Sequence, residues 1–242
     1  MKWITATAVL LFLLVPAMGQ KISVDTIMQL DTLRISGERY ISFSDGQKLI
    51  RIDTEVLHEN KRNNIANILM DNTSVYIRSY GQNNVASMSF RGTSSSQSGI
   101  FWNGINIRMP SLGSTDLSLI PSSFFNNATI VFGGSSVRYG SGTIGGAIFL
   151  NNNAYFGNYI SAGLDLRMGS FGYRGADITA TLSQKKYYLN FTFSGQQARN
   201  DFVYTDLRGE DERMDNAAFS GLGFNLHGAA LIGKKSQIDL FL

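Results

Sequence analysis

The sequence predicts an α+β domain followed by an incomplete antiparallel transmembrane β-barrel. Three observations carry that prediction. Up to about residue 152 the chain holds short β-branched runs and one helical face, separated by glycine-rich connections. Beyond about Phe156 the pattern changes to runs of about ten residues that are apolar on one face and polar on the other. After an apolar run at the N-terminus, no stretch of about 18 apolar residues recurs, so any membrane crossing must use strands.

Composition agrees and excludes several function classes. The 242 residues are 16% charged and 12% aromatic with 25 glycines, a balance that suits strands and turns better than a helical enzyme. With 21 basic and 18 acidic residues spread along the chain, the net charge of +3 gives no phosphate footprint, and no nucleic-acid partner is expected. Cysteine is absent, which removes disulfides, thiol catalysis and thiolate metal sites. The two histidines are far apart and G-x-S-x-G does not occur, so there is little material for a nucleophile and base. No catalytic residue, metal site or cofactor is therefore expected.

At the N-terminus Lys2 precedes the apolar run from Ile4 to Val15, and Pro16-Ala17-Met18-Gly19 places small residues where a signal peptidase reads. Residues 1–19 are read as a signal peptide. Residues 20–47 are polar and without period, and are expected to be flexible. A strand follows over Leu49 to Asp53, where apolar and charged residues alternate. Thr54-Glu55 suits the start of a short turn. Ile65, Ile68 and Leu69 then share one helical face behind the start signal Asn63-Asn64, and that face is core. His58 has no second ligand-type residue at metal spacing and reads as a solvated side chain.

Val75 to Ser79 and Ser87 to Arg91 both alternate as strands, with a turn-rich connection between them. Met88 and Phe90 point one way; Ser87, Ser89 and Arg91 point the other. A small polar loop, Thr93 to Gly99, leads to the strand Ile100 to Trp102. Asn103-Gly104 after it is the strongest hairpin signal in the chain, because a type I′ turn needs φ > 0 at both central positions.

Thr129 to Leu150 reads as strand, glycine-rich loop, strand. Gly140, Gly142 and Gly145 spell G-x-G-x-x-G, but Gly146 to Leu150 reads as strand where a dinucleotide site needs a helix N-terminus. Close passage of backbone inside something narrow is the better use of such a segment.

In the last third, Ile160, Ala162, Leu164, Leu166 and Met168 alternate with Ser161, Gly163, Asp165 and Arg167. The runs around Ala176 to Leu182 and Tyr187 to Phe193 repeat the pattern. Gln184-Lys185 is a tight turn, whereas Ala198 to Asn216 is long and acidic, and such inequality between the two ends is usual in membrane barrels. About four full runs are present and a fifth begins at Gln237, fewer than the roughly eight strands a bacterial barrel needs to close. The chain is thus expected to be the N-terminal part of a longer protein.

Three blocks of this sequence resemble one family in that family's order. Arg138-Tyr139-Gly140-Ser141-Gly142 through Gly145-Gly146 is similar to the closing motif of the plug domain of TonB-dependent outer-membrane receptors. Tyr76 to Gly81 with Ser87 to Gly92 resembles the family's segment ending in Arg-Gly. Trp102-Asn103-Gly104 to Pro121 resembles its hairpin and following short helix, with Asn103 where aspartate is frequent. The spacing around Arg78 to Gly81 and Leu112-Gly113 looks most like the cobalamin and siderophore branches. On this resemblance residues 48–152 are the plug domain and residues 153–242 the first part of the barrel.

The resemblance implies a receptor rather than an enzyme, with three partners. These are the TonB protein of the inner-membrane energy-coupling complex, the lipid of the bacterial outer membrane, and a siderophore or cobalamin-like ligand. Asp31, Thr32, Leu33, Arg34, Ile35, Ser36 and Gly37 resemble a Ton box, an extended segment that could add as a strand to a partner's sheet, although Arg34 and Ser36 depart from the more apolar family pattern. The outward plug loops imply ligand contacts from Thr93, Ser94, Ser95, Gln97, Ser98, Asn106, Arg108, Ser111 and Ser114. Arg91 and Arg138 match arginines that pair with acidic residues of the barrel wall, pairing that a charge in a narrow lumen would need. A secreted β-rich binding or adhesion module without energy coupling stands as the alternative.

Overall fold

A computed structural model of the chain describes residues 47–242 except 53, 61–63, 80–84, 134–138, 141, 234 and 235. The signal-peptide and Ton-box assignments lie outside these residues. The first half is an α+β domain. Its elements are β1 (Lys48–Ile52), α1 (Thr54–Glu59), α2 (Ile65–Asn72), β2 (Tyr76–Ser79), β3 (Ala86–Ser89), β4 (Ser98–Trp102), β5 (Ile105–Asn106), β6 (Asn127–Phe132) and β7 (Gly146–Asn151).

Helix α2 starts where its sequence says it should. The Asn64 side chain accepts from Asn67 N–H at 3.0 Å, satisfying one of the donors orphaned at a helix N-terminus. Ile65, Ala66, Ile68 and Leu69 are buried, and Thr73 closes the last turn by donating its backbone N–H and its hydroxyl to Leu69 O. Thr54-Glu55 begins a six-residue helix, α1, rather than a bare turn.

The domain's sheet runs β1-β6-β7-β4-β5, antiparallel throughout except for the parallel pair β4 and β7. It is covered on both faces, which is why the runs Ile130-Val131-Phe132 and Ala147-Ile148-Phe149-Leu150 are continuously apolar rather than alternating. On one face Ile100, Ile130, Ile148 and Leu150 meet the helices, Phe90 and Phe132, the last two edge-on at 5.3 Å. On the other, Phe101 stacks on Phe149 at 5.1 Å and Tyr139 packs edge-on against Phe149. Asn103 and Gly104 take φ of 47° and 84°, the positive pair a type I′ turn requires. The strand over 87–91 ends early: β3 stops at Ser89, and Arg91 (φ 48°) and Gly92 (φ 81°) form the turn that begins the next loop.

The second half is a five-stranded antiparallel meander. It comprises β8 (Tyr159–Met168), β9 (Arg174–Ser183), β10 (Tyr187–Ala198), β13 (Phe219–Ile232) and β14 (Ser236–Phe241). Within the long acidic connection lies a hairpin the sequence did not announce, β11 (Val203–Thr205) paired with β12 (Asp211–Arg213). In the meander the polar residues are inside and the apolar ones outside. Asp177, Ser183, Thr192, Ser194, Asn225 and His227 are buried, while Ile160, Leu166, Met168 and Leu222 are 80%, 71%, 88% and 81% exposed. A water-soluble sandwich would show the reverse. Ten residues of β8 rise about 33 Å along the strand, and at the tilt usual for such barrels they cover the apolar band of roughly 25 Å.

Candidate ligand platform and the seam between plug and barrel

The loop after β3 is shaped by its own hydroxyls. Thr93 Oγ1 and Thr93 N–H both donate to Phe90 O, at 2.8 and 2.9 Å. Ser94 N–H donates to Gln97 Oε1 at 3.2 Å, and Ser94 Oγ and Ser96 Oγ share a hydrogen bond at 2.8 Å, which fixes the short 3-10 turn Ser95–Gln97. The loop after β5 is drawn in by Asn106, whose side chain accepts from Arg108 N–H at 3.0 Å. Met109 N–H to Ser114 O at 3.2 Å and Gly113 N–H to Met109 O at 2.9 Å close it. Asp116 then ties it to β3 by accepting from Ala86 N–H at 2.9 Å.

These two loops and the glycine-rich connection before β7 form one surface. Arg108 Nη1 donates to Ser96 O at 3.4 Å, and Gly145 N–H donates to Gln97 O at 3.1 Å. A Cβ on Gly142 would stand 2.3 Å from Arg108 Nη1, and one on Gly145 would stand 2.3 Å from Thr93 Oγ1. The glycines are therefore the floor on which the loops lie. Thr93, Ser94, Ser95, Gln97, Asn106, Arg108, Ser111 and Ser114 all belong to this platform and keep some exposure. Ser98 does not reach its surface. It is buried at the head of β4, and its hydroxyl donates to Ser94 O at 3.3 Å, a supporting role beneath the loop. Ser96, which the sequence reading passed over, is the residue that holds Arg108.

Arg91 sits exposed in the turn after β3, and the ion pairs among the described residues do not include it. Arg138 lies outside the described residues. The wall's own buried carboxylate, Asp177, is held within the wall by Arg167 at 2.8 Å.

Among the described residues, the two halves share hydrogen bonds at the carbonyl of Phe124. It accepts from Asn152 Nδ2 at 2.7 Å and from Asn225 Nδ2 on β13 at 3.1 Å. Beside it Gly223 leaves room for the Phe124 ring, since a Cβ there would be 2.9 Å from Cζ. Asn152 also accepts from Trp102 Nε1 at 2.9 Å and Asn103 Nδ2 at 3.1 Å, so one asparagine joins the hairpin, the 122–126 segment and the linker to β8. Between α1 with residues 122–126 and strands β8 to β10 lies a cavity of about 420 Å³ lined by groups such as Ser122, Asn126, Ser161, Thr181 and Asn190. Sequence gave no signal for this seam, because it pairs residues up to 101 positions apart.

On the long connection, Asp206 accepts from Arg208 Nε at 2.8 Å and from the backbone N–H of Arg208 and Glu210. The Arg208 bond, first, and the backbone donors hold its carboxyl below the ordinary carboxylate value. The charge of Glu212 pushes the Tyr204 hydroxyl up. Among the described residues no group of three His, Cys, Asp or Glu side chains is placed to hold a metal ion.

A domain with its own core, seated on the polar face of a sheet whose other face is apolar, has the arrangement of the plug-and-barrel class of outer-membrane proteins. Residues 45–147 match the TonB-dependent receptor plug domain. The chain thus carries a TonB-dependent receptor plug domain over those residues, followed by antiparallel strands with the fold of part of such a receptor's barrel.

It is 26% identical over 161 residues to the vitamin B12 transporter BtuB of Vibrio vulnificus (strain YJ016), covering 66% of this chain and 24% of that protein. The copper transporter OprC superposes with a TM-score of 0.62 at 20% identity, covering 80% of this chain and 29% of that one. The ferric-catecholate import receptor Fiu of E. coli K12 gives 0.61 at 14% identity, covering 81% and 26%. This chain thus spans about a quarter of the length of the relatives it matches.

Proposed function

We propose that the receptor to which this chain belongs takes up a scarce large solute, of the siderophore-iron or cobalamin type, across the outer membrane with energy supplied through TonB. The observation that carries this reading is the platform. Three loops are knitted into one polar, partly exposed surface, on a plug that lies against the polar face of the meander. The relatives support the class of cargo, since those named above are a vitamin B12 transporter, a copper transporter and a ferric-catecholate receptor. The outward apolar face favours this over a secreted adhesion module, because leucine, isoleucine and methionine side chains over 60% exposed in successive rows suit lipid and not water.

In this reading residues 1–19 are removed as a signal peptide, residues 20–47 carry the Ton box at 31–37, residues 48–152 plug the barrel and residues 153–242 begin it. The match over residues 45–147 and a main core drawn from residues between Ile52 and Leu150 support those plug limits.

Coupling by strand addition depends on backbone N–H groups, and proline removes one while fixing φ near about −65°. In cells lacking competing receptors, Leu33→Pro should abolish energised uptake of radiolabelled cobalamin or ferric siderophore while surface binding persists. Leu33→Ala keeps the donor and should do much less. Equal uptake by Leu33→Pro and the parent would overturn the coupling assignment.

A further inference from the structure

The cavity in the seam between plug and wall has no part in the uptake reading. Its wall side is built from successive inward rows of the meander, next to the tight turn Gln184-Lys185. Tyr159 and Tyr188 flank Ser183 in the first row, and Ser161, Thr181 and Asn190 form the second. Ser183 itself is committed: its hydroxyl donates to Tyr155 O at 2.7 Å and accepts from Gly157 N–H at 2.9 Å, which pins the linker between the two halves at that end. On the plug side stand Ser123 and Phe125.

Two features of the lining select a guest. Among the described residues it contains no carboxylate, ammonium, guanidinium or imidazole; its polar side chains carry hydroxyls and amides. An ion entering it would lose hydration and meet no countercharge, so the guest is neutral. The lining also holds the rings of Tyr155, Tyr159 and Tyr188. The negative face of an aromatic ring attracts C–H hydrogens made positive by neighbouring oxygens, and a sugar ring offers such a face where water offers none. Hydrogen-bonding capacity is left over as well. The Ser123 hydroxyl is buried without a partner, and Thr181 Oγ1 takes one Nδ2 hydrogen of Asn190 at 2.9 Å, leaving the second for a guest. The volume of about 420 Å³ falls in the usual range of ligand pockets, roughly 300–1,000 Å³, and is too small for the large solute of the uptake reading.

We propose that this cavity binds a neutral mono- or disaccharide. Its ring faces lie on the tyrosines, and its hydroxyls meet Asn190 on the wall and Ser123 on the plug. The guest enters from the periplasm, because short turns face that side in membrane barrels. That direction rests on the membrane-spanning reading of the sheet; the site itself does not.

The test uses the 242-residue chain in amine-oxide micelles, which carry no sugar of their own. Saturation-transfer NMR is read in titrations with trehalose, with glucuronate as a charged ring and with sorbitol as an acyclic polyol. Irradiating the aromatic protons should carry saturation to the C–H protons of trehalose, and the other two probes should bind at least about tenfold more weakly. Asn190→Leu should weaken trehalose about tenfold, and Ser161→Phe, which fills the cavity, should abolish its binding. Gln196→Leu makes a similar change further along β10, outside the cavity, and should leave binding as in the parent. Transfer to none of the probes would mean a cavity that holds water only, and would overturn the proposal. Equal binding of the three probes, or equal losses in Asn190→Leu and Gln196→Leu, would overturn it too. The parent's ranking of the probes decides the matter where a variant fails to fold. Cobalamin or ferric-siderophore uptake is measured separately, so failure of this site and failure of the uptake reading are told apart.

Discussion

Gly146 opens β7 at the last rung of its ladder with β6, opposite Phe132, and a single methyl group there has nowhere to go. A Cβ would lie 2.6 Å from Val131 O and 2.9 and 3.0 Å from two ring carbons of Phe90, a fully buried side chain. One of those neighbours is backbone in a paired strand, so relief requires either opening the rung or moving a packed ring. Forcing an extra methyl into a filled core costs about 1–3 kcal/mol. The backbone at φ +156° adds a further cost of order 1 kcal/mol for any residue with a Cβ. Gly146→Ala should therefore destabilise the plug by about 3 kcal/mol, a large share of the roughly 5–15 kcal/mol that stabilises a domain.

For a domain of this size each kcal/mol lowers Tm by about 4–8 °C, which places the expected drop at roughly 12–24 °C. Residues 45–152 of parent and variant would be melted side by side, followed by near-ultraviolet circular dichroism. Gly104→Ala is the control, since Gly104 also has positive φ but nothing within 4 Å of its added Cβ, and it should lose only about 1 kcal/mol. A Gly146→Ala plug that melts within about 3 °C of the parent, or no lower than Gly104→Ala, would refute the packing argument.

Three further outcomes are expected. Residues 45–152 expressed alone should fold, because the core from Ile52 to Leu150 is complete within them; a far-ultraviolet spectrum without helix would count against it. Gly142→Leu should expel the Arg108 guanidinium from its seat against Ser96 O and, on the proposed uptake reading, weaken cobalamin or ferric-siderophore binding at least about tenfold, beyond the loss of about 1 kcal/mol that φ +91° imposes on any residue with a Cβ, whereas unchanged binding would detach Arg108 from the platform. The Asp206 carboxyl is held below its ordinary value, so the turn over 206–210 gains stability that is present above the ordinary carboxylate pKa and is lost only as pH falls through the lowered one. The Arg208 Nε proton resonance should therefore persist as pH passes through the ordinary carboxylate range, and its loss at that range would contradict the hydrogen bonding.

Local chemistry alone determined much of this molecule. Asn64 caps α2, Asn103-Gly104 turns the hairpin and the alternation of Ile160 to Met168 turns one face to lipid. Each depends on neighbours within a few residues, where backbone preference and side-chain period act directly. The early end of β3 at Ser89 was not visible, since Arg91 takes positive φ to meet a loop, against the preference of a residue with a Cβ. Nor was the β11–β12 hairpin, whose three-residue strands are exposed throughout and are held by pairing across the connection.

What only the tertiary structure decided is who meets whom. That Ser96 holds Arg108, that Ser98 is buried beneath its loop and that Asn152 and Asn225 share the carbonyl of Phe124 all follow from how loops and strands meet in space, the last across 101 positions of sequence. So do the rows that set Gly195 between Ala176 and Leu222. An amphipathic period specifies which way a side chain points; its partner is set by sheet order and register, and these are fixed only when the whole core closes.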